Sequence, residues 1–455
     1  MKSNLSILAV ALVCFTAFSS CDTRPGAAYS ENTTDDLAAE MESILKDKML
    51  YMWYPRIVDS VNGGFYTNFA YNWEKMPRQE KMIVSQARGV WTASKAAERY
   101  PHDKRYEQAA AHGYKFLRDT MWDSVRGGFV TYWGLDDEQE GISEAPKQAY
   151  GNAFALYALA AYYKITKSPE VLELAKRTFL WMDQVYHDEK YGGYFDYLEE
   201  DRQTANADNP RQNVMQYKDY NSSIHILEAF AELYPVWQDS LLKSRLKEML
   251  HIVRDTITTE HGYMQLYFED NWQAVSHFGE SRDEVLKNLY TDHISFGHDI
   301  ETAYLLIEAA HALGEEQETT QAKARKMIDY TIAHGFDKDF SGIFDGGYAF
   351  ESPDKVEVVM KGKAWWSQAE ALNALLLFST LYPEETIYKD AFEKMWSYIK
   401  KNCIDFEYGD WYVEALDASP RAKTAPKAHA WKSNYHTSRT IMNCIDLLKK
   451  ESGHR

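Results

Sequence analysis

A glycine followed at once, or nearly so, by aromatic or bulky apolar residues recurs six times along this chain, and that recurrence limits its fold more than any other feature. The six sites are Gly63-Gly64-Phe65-Tyr66, Gly127-Gly128-Phe129, Gly192-Gly193-Tyr194-Phe195, Gly262-Tyr263, Gly342-Ile343-Phe344 and Gly409-Asp410-Trp411-Tyr412. The first glycines are 64, 65, 70, 80 and 67 residues apart. A turn glycine leading into a short aromatic strand predicts a small hairpin at each site. Intervals of this length mean that each repeat is one supersecondary unit burying its apolar face on its neighbours.

Between the hairpins, apolar residues recur every three or four positions, the signature of helix. The pattern predicts twelve helices, at about 36–54, 83–99, 104–121, 147–166, 169–186, 220–234, 239–257, 298–314, 317–334, 363–381, 385–402 and 431–449. Six helix pairs with strand confined to loops predict an all-α fold, an (α/α)6 toroid with short β-hairpin loops on one face. Even-numbered helices form the inner ring and odd-numbered ones the outer. The Ala-rich segment Asn152 to Tyr163 has the all-round apolar character that an inner helix needs. An open solenoid of helix pairs shares the periodicity, but the chain stops at six repeats without an obvious polar cap, which favours closure. Each long hairpin loop precedes an even helix, so all six inner N-termini should open onto one face, with a pocket at the axis.

The residues near those starts are polar or aromatic where an apolar ring would otherwise pack. The second helix carries Arg88 and Trp91; the fourth begins Gln148-Ala149-Tyr150-Gly151-Asn152; the sixth has Asn221 and His225. The eighth opens Gly297-His298-Asp299-Ile300-Glu301, the tenth has Trp365-Trp366 with Glu370 one turn beyond, and the last contains Trp431 and Tyr435-His436. A lone histidine on an apolar face is ordinarily a satisfied core residue. Six successive repeats offering such groups at one point are different, because burying them without function would destabilise the fold. Histidines move protons near neutral pH, an arginine stabilises a developing oxyanion, and tryptophans stack on pyranose rings. The set suits proton abstraction beside a carbonyl.

Charge and targeting narrow the partners. The net charge of −18 and the lack of a wide Lys/Arg cluster argue against nucleic acid and favour a neutral or small polar substrate. Aromatic residues make up 14% of the chain, which serves either a core or sugar stacking. Residues 1–21 read as a lipoprotein signal: Lys2, the apolar stretch Leu5 to Phe18, then Phe18-Ser19-Ser20-Cys21, which resembles a lipobox with Cys21 as the lipidated residue. An ordinary secretory signal with a chance cysteine is the other reading. Residues 22–36 read as a flexible tether and 37–450 as a single barrel domain. The expected location is membrane-anchored, on the periplasmic or cell-surface side, with the lipid as the sole membrane contact. Cys403 and Cys444 could pair in an oxidising compartment or simply be small buried residues. Neither CxxC nor HExxH spacing occurs, so a metal site has little support.

At Gly297-His298-Asp299-Ile300-Glu301, Trp366-Ser367-Gln368-Ala369-Glu370, Trp431-Lys432-Ser433-Asn434-Tyr435-His436, Asn221 to Ala229 and Ala87-Arg88 before Trp91, the sequence resembles the N-acylglucosamine 2-epimerase superfamily, most closely its cellobiose 2-epimerase branch. The resemblance runs from about residue 40 to 449. It implies an (α/α)6 barrel without a cofactor, acting at C2 of a reducing-end sugar, here a cellobiose- or mannobiose-like disaccharide, with glucose/mannose interconversion. It further implies His298 and His436 as the acid/base pair, Arg88 and His225 at the enediolate oxygens, and Glu301 supporting His298. Trp366, Trp431, Tyr150, Asn221 and Glu370 would line the sugar site. The chain departs from the branch's usual pattern at Tyr304, where Trp is usual, at Ser367, and at Ser433-Asn434. These changes border the expected pocket and bear on the preferred sugar, so Tyr304 joins the candidate substrate contacts.

Rival readings remain. An N-acylglucosamine epimerase or aldose–ketose isomerase would use the same enediolate. A glycoside hydrolase on the same toroid would need opposed carboxyl groups, and a non-catalytic sugar-binding lipoprotein would need only the aromatic platform. The polar segments Asp196–Asp219 and Asn271–Thr291 read either as lids or as disordered insertions.

Overall fold

The computed structural model describes residues 33–134, 145–203 and 214–453; the signal segment, Cys21 and most of the tether lie outside them. Helix α1 spans Thr34–Ser43 and continues through Ile44–Leu50 and Tyr51–Trp53. The others are α2 Ile83–Arg99, α3 Lys104–Phe116 extended by Leu117–Met121, α4 Ala149–Thr166, α5 Pro169–Tyr186 and α6 Tyr220–Leu233. They continue with α7 Ser240–His251 extended by Ile252–Ile257, α8 Phe296–Leu313, α9 Gln317–His334, α10 Trp365–Leu381, α11 Thr386–Asn402 and α12 Tyr435–Glu451. Helix α1 starts before the expected residue 36 because Thr33 and Asp36 form a reciprocal capping box, which takes the last tether residues into the helix. Helix α12 starts later than the expected residue 431, because Lys432 is held in the preceding loop by Asp410 at 2.6 Å.

The ring is closed. Along it α2 packs on α4, α4 on α6, α6 on α8, α8 on α10, α10 on α12, and α12 back on α2. Each outer helix packs on the inner helix before it, and α1 completes the set by packing on α12. The first and last helices are thereby one pair, which is why the repeats close rather than continue as a solenoid. Inner helices are buried all round; in α4 every residue from Ala149 to Tyr162 is buried. Outer helices bury one stripe, as α11 does with Tyr388, Ala391, Phe392, Met395 and Ile399. Cys403 and Cys444 are both buried and unpaired in this core.

The six glycine turns are one device. Isolated antiparallel bridges join Val58 to Phe65, Trp122 to Phe129, His187 to Tyr194, Thr258 to Met264, Phe336 to Ile343 and Ile404 to Trp411. Gly127 and Gly128 show why glycine is needed. Their φ values are +77° and +72°, and a Cβ on either would lie 2.4 or 2.3 Å from Trp181.

In five repeats an aspartate follows the first bridge residue and meets a lysine that precedes the next inner helix. The pairs are Lys81–Asp59, Lys147–Asp123, Lys218–Asp188, Lys363–Asp337 and Lys427–Asp405, each at 2.7 Å. The aspartates also accept turn N–H groups, as Asp59 does from Val61 and Asn62. The same lysines reach the turn carbonyls of Gly63, Gly127 and Gly192 and, in the fifth repeat, Ser341. Buried charge is tolerated here because every charge is paired and hydrogen-bonded. The pins fix the loops, and through them the inner helix starts. The fourth repeat lacks the pair, with Thr259 and Ile294 at the corresponding places.

Segment Asn271–Thr291 is folded, with a short helix at Arg282–Lys287 and an ion pair from Arg282 to Glu357 on the hairpin Gly346–Ala349/Val356–Met360. Of Asp196–Asp219, residues 204–213 lie outside the described ones. Among the described residues, no helix is long and apolar enough to cross a membrane.

Candidate active site

The inner N-termini converge on a cavity of about 170 Å³ lined by Arg88, Tyr150, Asn221, His225, His298, Glu301, Trp365, Trp366, Trp431 and His436. Every inner helix contributes. Trp366 stands between the two histidines of the expected acid/base pair, its ring 4.4 Å from that of His298 and 6.0 Å from that of His436. Trp431 is 48% exposed at the rim, on the loop pinned by Lys432. Arg88 lies over the faces of Phe154 and Tyr435 and donates to the Tyr150 hydroxyl at 3.2 Å.

Each histidine is held through Nδ1, which leaves Nε2 as the nitrogen free to act in the cavity. His436 Nδ1 lies 2.7 Å from Glu370 Oε1, and His225 Nδ1 lies 2.8 Å from Glu228 Oε2. A carboxylate at Nδ1 keeps the proton there and the lone pair on Nε2. His298 Nδ1 instead contacts the Ser295 hydroxyl at 2.7 Å, with the Tyr220 hydroxyl at 3.3 Å. A hydroxyl donates or accepts, so His298 can gain or lose a proton without losing its support.

Beneath the histidines lies a layer the sequence reading missed. Arg439, 1% exposed, contacts Glu228 and donates to Glu301 and Glu370, each at 2.8 Å. Tyr435 donates to Glu228 at 2.6 Å. One guanidinium thus ties together the carboxylates under His225 and His436. Burial would raise Glu228, but Arg439 and His225 hold it down at about 2. Burial and the neighbouring Glu370 push Glu301 up to about 7, and burial raises Glu370 against the pull of Arg439. His298 and His436 are both driven well below the ordinary imidazole value, first by burial and then by nearby positive groups, Arg88 included. Both are therefore neutral near pH 7 and competent as bases. Glu301, Glu370 and His436 are close enough to share a metal ion, but Arg439 already holds both carboxylates.

Three expected roles change. Glu301 does not support His298; it pairs with Arg439 and lies 3.8 Å from His436 Nδ1. Glu370 is not on the cavity wall but under His436. Tyr304 does not border the cavity: it accepts from Asn443 at 3.1 Å and lines a separate cavity of about 270 Å³ together with Trp91 and Arg439. The reason is common to several helices. Each inner helix runs along the barrel axis, so a residue three positions on sits one turn deeper. Arg88 to Trp91, His225 to Glu228, Glu301 to Tyr304 and His436 to Arg439 all make that step from wall to floor. The i+3 recurrence behind four cavity residues was the available signal.

Comparison with known proteins agrees with this architecture. Residues 64–440 match the family model for N-acylglucosamine 2-epimerase (GlcNAc 2-epimerase). A cellobiose 2-epimerase from Bacteroides fragilis is 29% identical over 415 residues, 90% of this chain and 98% of the relative. A D-mannose isomerase from Thermobifida fusca is 24% identical over 307 residues, 67% of this chain and 70% of the relative. The solved cellobiose 2-epimerase of Bacillus thermoamylovorans superposes with a TM-score of 0.77 at 24% identity, covering 90% of this chain and 99% of that one. The chain is an (α/α)6-barrel enzyme of carbohydrate epimerisation and belongs to the N-acylglucosamine 2-epimerase family.

Proposed function

We propose that this enzyme epimerises the reducing-end sugar of a β-linked disaccharide at C2, with His298 and His436 as the acid/base pair. The observation that carries this reading is that both imidazoles line one tryptophan-walled cavity, each supported at Nδ1 and each neutral near pH 7. With the sugar ring open, one Nε2 removes the C2 proton and the electron pair moves toward C1, giving an enediolate. Arg88 and His225 stabilise its oxygens. The other imidazole, which takes up a proton from solvent before the turnover, returns it to C2 from the opposite side, and the first then releases its proton to solvent. Enclosing a drug-sized ligand takes ~300–1,000 Å³. The cavity here is about 170 Å³, so it takes the reacting ring and leaves the second sugar at the rim, where Trp431 stands.

A second reading, aldose–ketose isomerisation, differs only in returning the proton to C1, and the similarity to a D-mannose isomerase favours keeping it. N-acylglucosamine epimerisation is a variant of the same chemistry. Hydrolysis is disfavoured, since Glu228 and Glu370 lie beneath the histidines and Glu301 is tied to Arg439. Incubation with cellobiose in deuterated water tests all of these. Deuterium at C2 with a gluco/manno mixture is expected; a ketose indicates isomerisation, monosaccharides hydrolysis, and no change binding alone. His298→Ala and His436→Ala should each abolish exchange in a folded protein, and wild-type rates in both variants refute the two-histidine mechanism.

From Phe18-Ser19-Ser20-Cys21 we further infer a lipoprotein held on the periplasmic or cell-surface side. Cys21→Ser should move the protein from the membrane to the soluble fraction, and unchanged partition refutes this.

A further inference from the structure

Three inner helices clamp their glycine turns with a side-chain amide at one repeated position, the fourth residue of the helix. Gln86 of α2 accepts from Phe65 N–H at 2.7 Å and donates to the Phe65 carbonyl at 2.9 Å. Asn152 of α4 does the same to Phe129 at 2.7 and 3.4 Å, and Gln368 of α10 to Ile343 at 2.8 Å in both directions. The clamped residue is always the second partner of the turn bridge. In the fourth repeat that partner is Met264, and the fourth residue of α8 is Asp299. Asp299 Oδ1 accepts from Met264 N–H at 2.8 Å; Oδ2 is buried with no partner.

An amide both accepts and donates, whereas a carboxylate only accepts. We propose that Asp299 is a neutral carboxylic acid in the folded enzyme, an acid standing where the other repeats use an amide, and that it positions the His298 end of α8 without placing a negative charge beside that histidine. The side chain is fully buried, and among the described residues no cation pairs with it. The titratable groups facing it are tyrosines: Tyr263 of the clamped turn, Tyr220 of α6 and Tyr330 of α9. Burial acts in the same direction, raising its pKa well above the ordinary carboxyl range. The fourth repeat is also the one without the lysine–aspartate pin; there Lys323 reaches the Thr258 and Thr259 carbonyls at 3.3 Å, and Asp299 is the clamp from the inner helix. Asn152 shows that a side chain of the same length serves the purpose.

The test compares wild type with Asp299→Asn. Carboxyl ¹³C NMR of the wild type at pH ~7 should show one aspartate resonance, missing from the variant spectrum, at the shift of a protonated acid. An acid protonated when folded and ionised when unfolded loses stability as pH rises. Asp299→Asn should therefore melt at or above the wild-type temperature at pH ~7 and widen that lead toward pH ~8. The acidic limb of kcat/KM should stay in place, because a neutral group replaces a neutral group. A limb moved to lower pH would mean that the wild type carries a charge there. That shift, an ionised resonance at pH ~7, or a lower melting temperature of the variant overturns the proposal. Only the kinetic arm rests on the proposed function; the NMR and thermal arms require no turnover, so the two failures are distinguishable, and the wild-type resonance decides even if the variant does not fold.

Discussion

Replacing Glu370 by glutamine separates two accounts of this residue. The family resemblance implies that Glu370 lies against the sugar, where its loss would weaken substrate binding. The structure places it under His436, 2.7 Å from Nδ1 and 2.8 Å from Arg439. A hydrogen bond to a charged partner is worth ~1.5–3 kcal/mol, and a neutral one retains ~1 kcal/mol. The difference, ~0.5–2 kcal/mol, corresponds to ~2–30-fold in rate. The loss should fall on kcat, because His436 acts on the transition state, with KM nearly unchanged. The assay is C2 exchange of a reducing disaccharide in deuterated water across a substrate series. A kcat within twofold of wild type, or a loss confined to KM, would refute the structural account and restore the sugar contact.

Acidity gives a second prediction. Since His298 and His436 are both held well below the ordinary 6.5, raising pH through their folded values frees the base, and the acidic limb of kcat/KM should lie below 6.5; a limb at or above it contradicts the burial argument. Lys363→Met should leave Asp337 and Asp417 without their 2.7 Å partner, costing ~3–5 kcal/mol in denaturant unfolding. Lys147→Met should cost less, because that pair is more exposed; equal losses would contradict the burial dependence. Trp431→Ala, at the exposed rim, should raise KM for a disaccharide more than for a monosaccharide, as read from initial rates with both.

Much of this molecule is legible in one dimension. The glycine–aromatic period and the helical periodicity fixed six hairpins and twelve helices, because turn chemistry and burial patterns are local properties of the chain. The same period placed Arg88, His225, His298 and His436 at equivalent helix starts, where closure of the ring makes them neighbours. Depth along the barrel axis was not legible. A spacing of three residues says that His436 and Arg439 share a helix face, yet one turn of rise separates a cavity wall from its floor. Only the closed ring decided that Tyr304 and Trp91 face a different cavity, that Glu370 serves His436, and that Arg439 binds three carboxylates from α6, α8 and α10. The lysine–aspartate pins escaped notice for a related reason: their partners are about 20–30 residues apart, and only folding brings them to 2.7 Å. Periodicity is written in the sequence, whereas which face a residue turns to, and at what depth, is set by the neighbours that closure supplies.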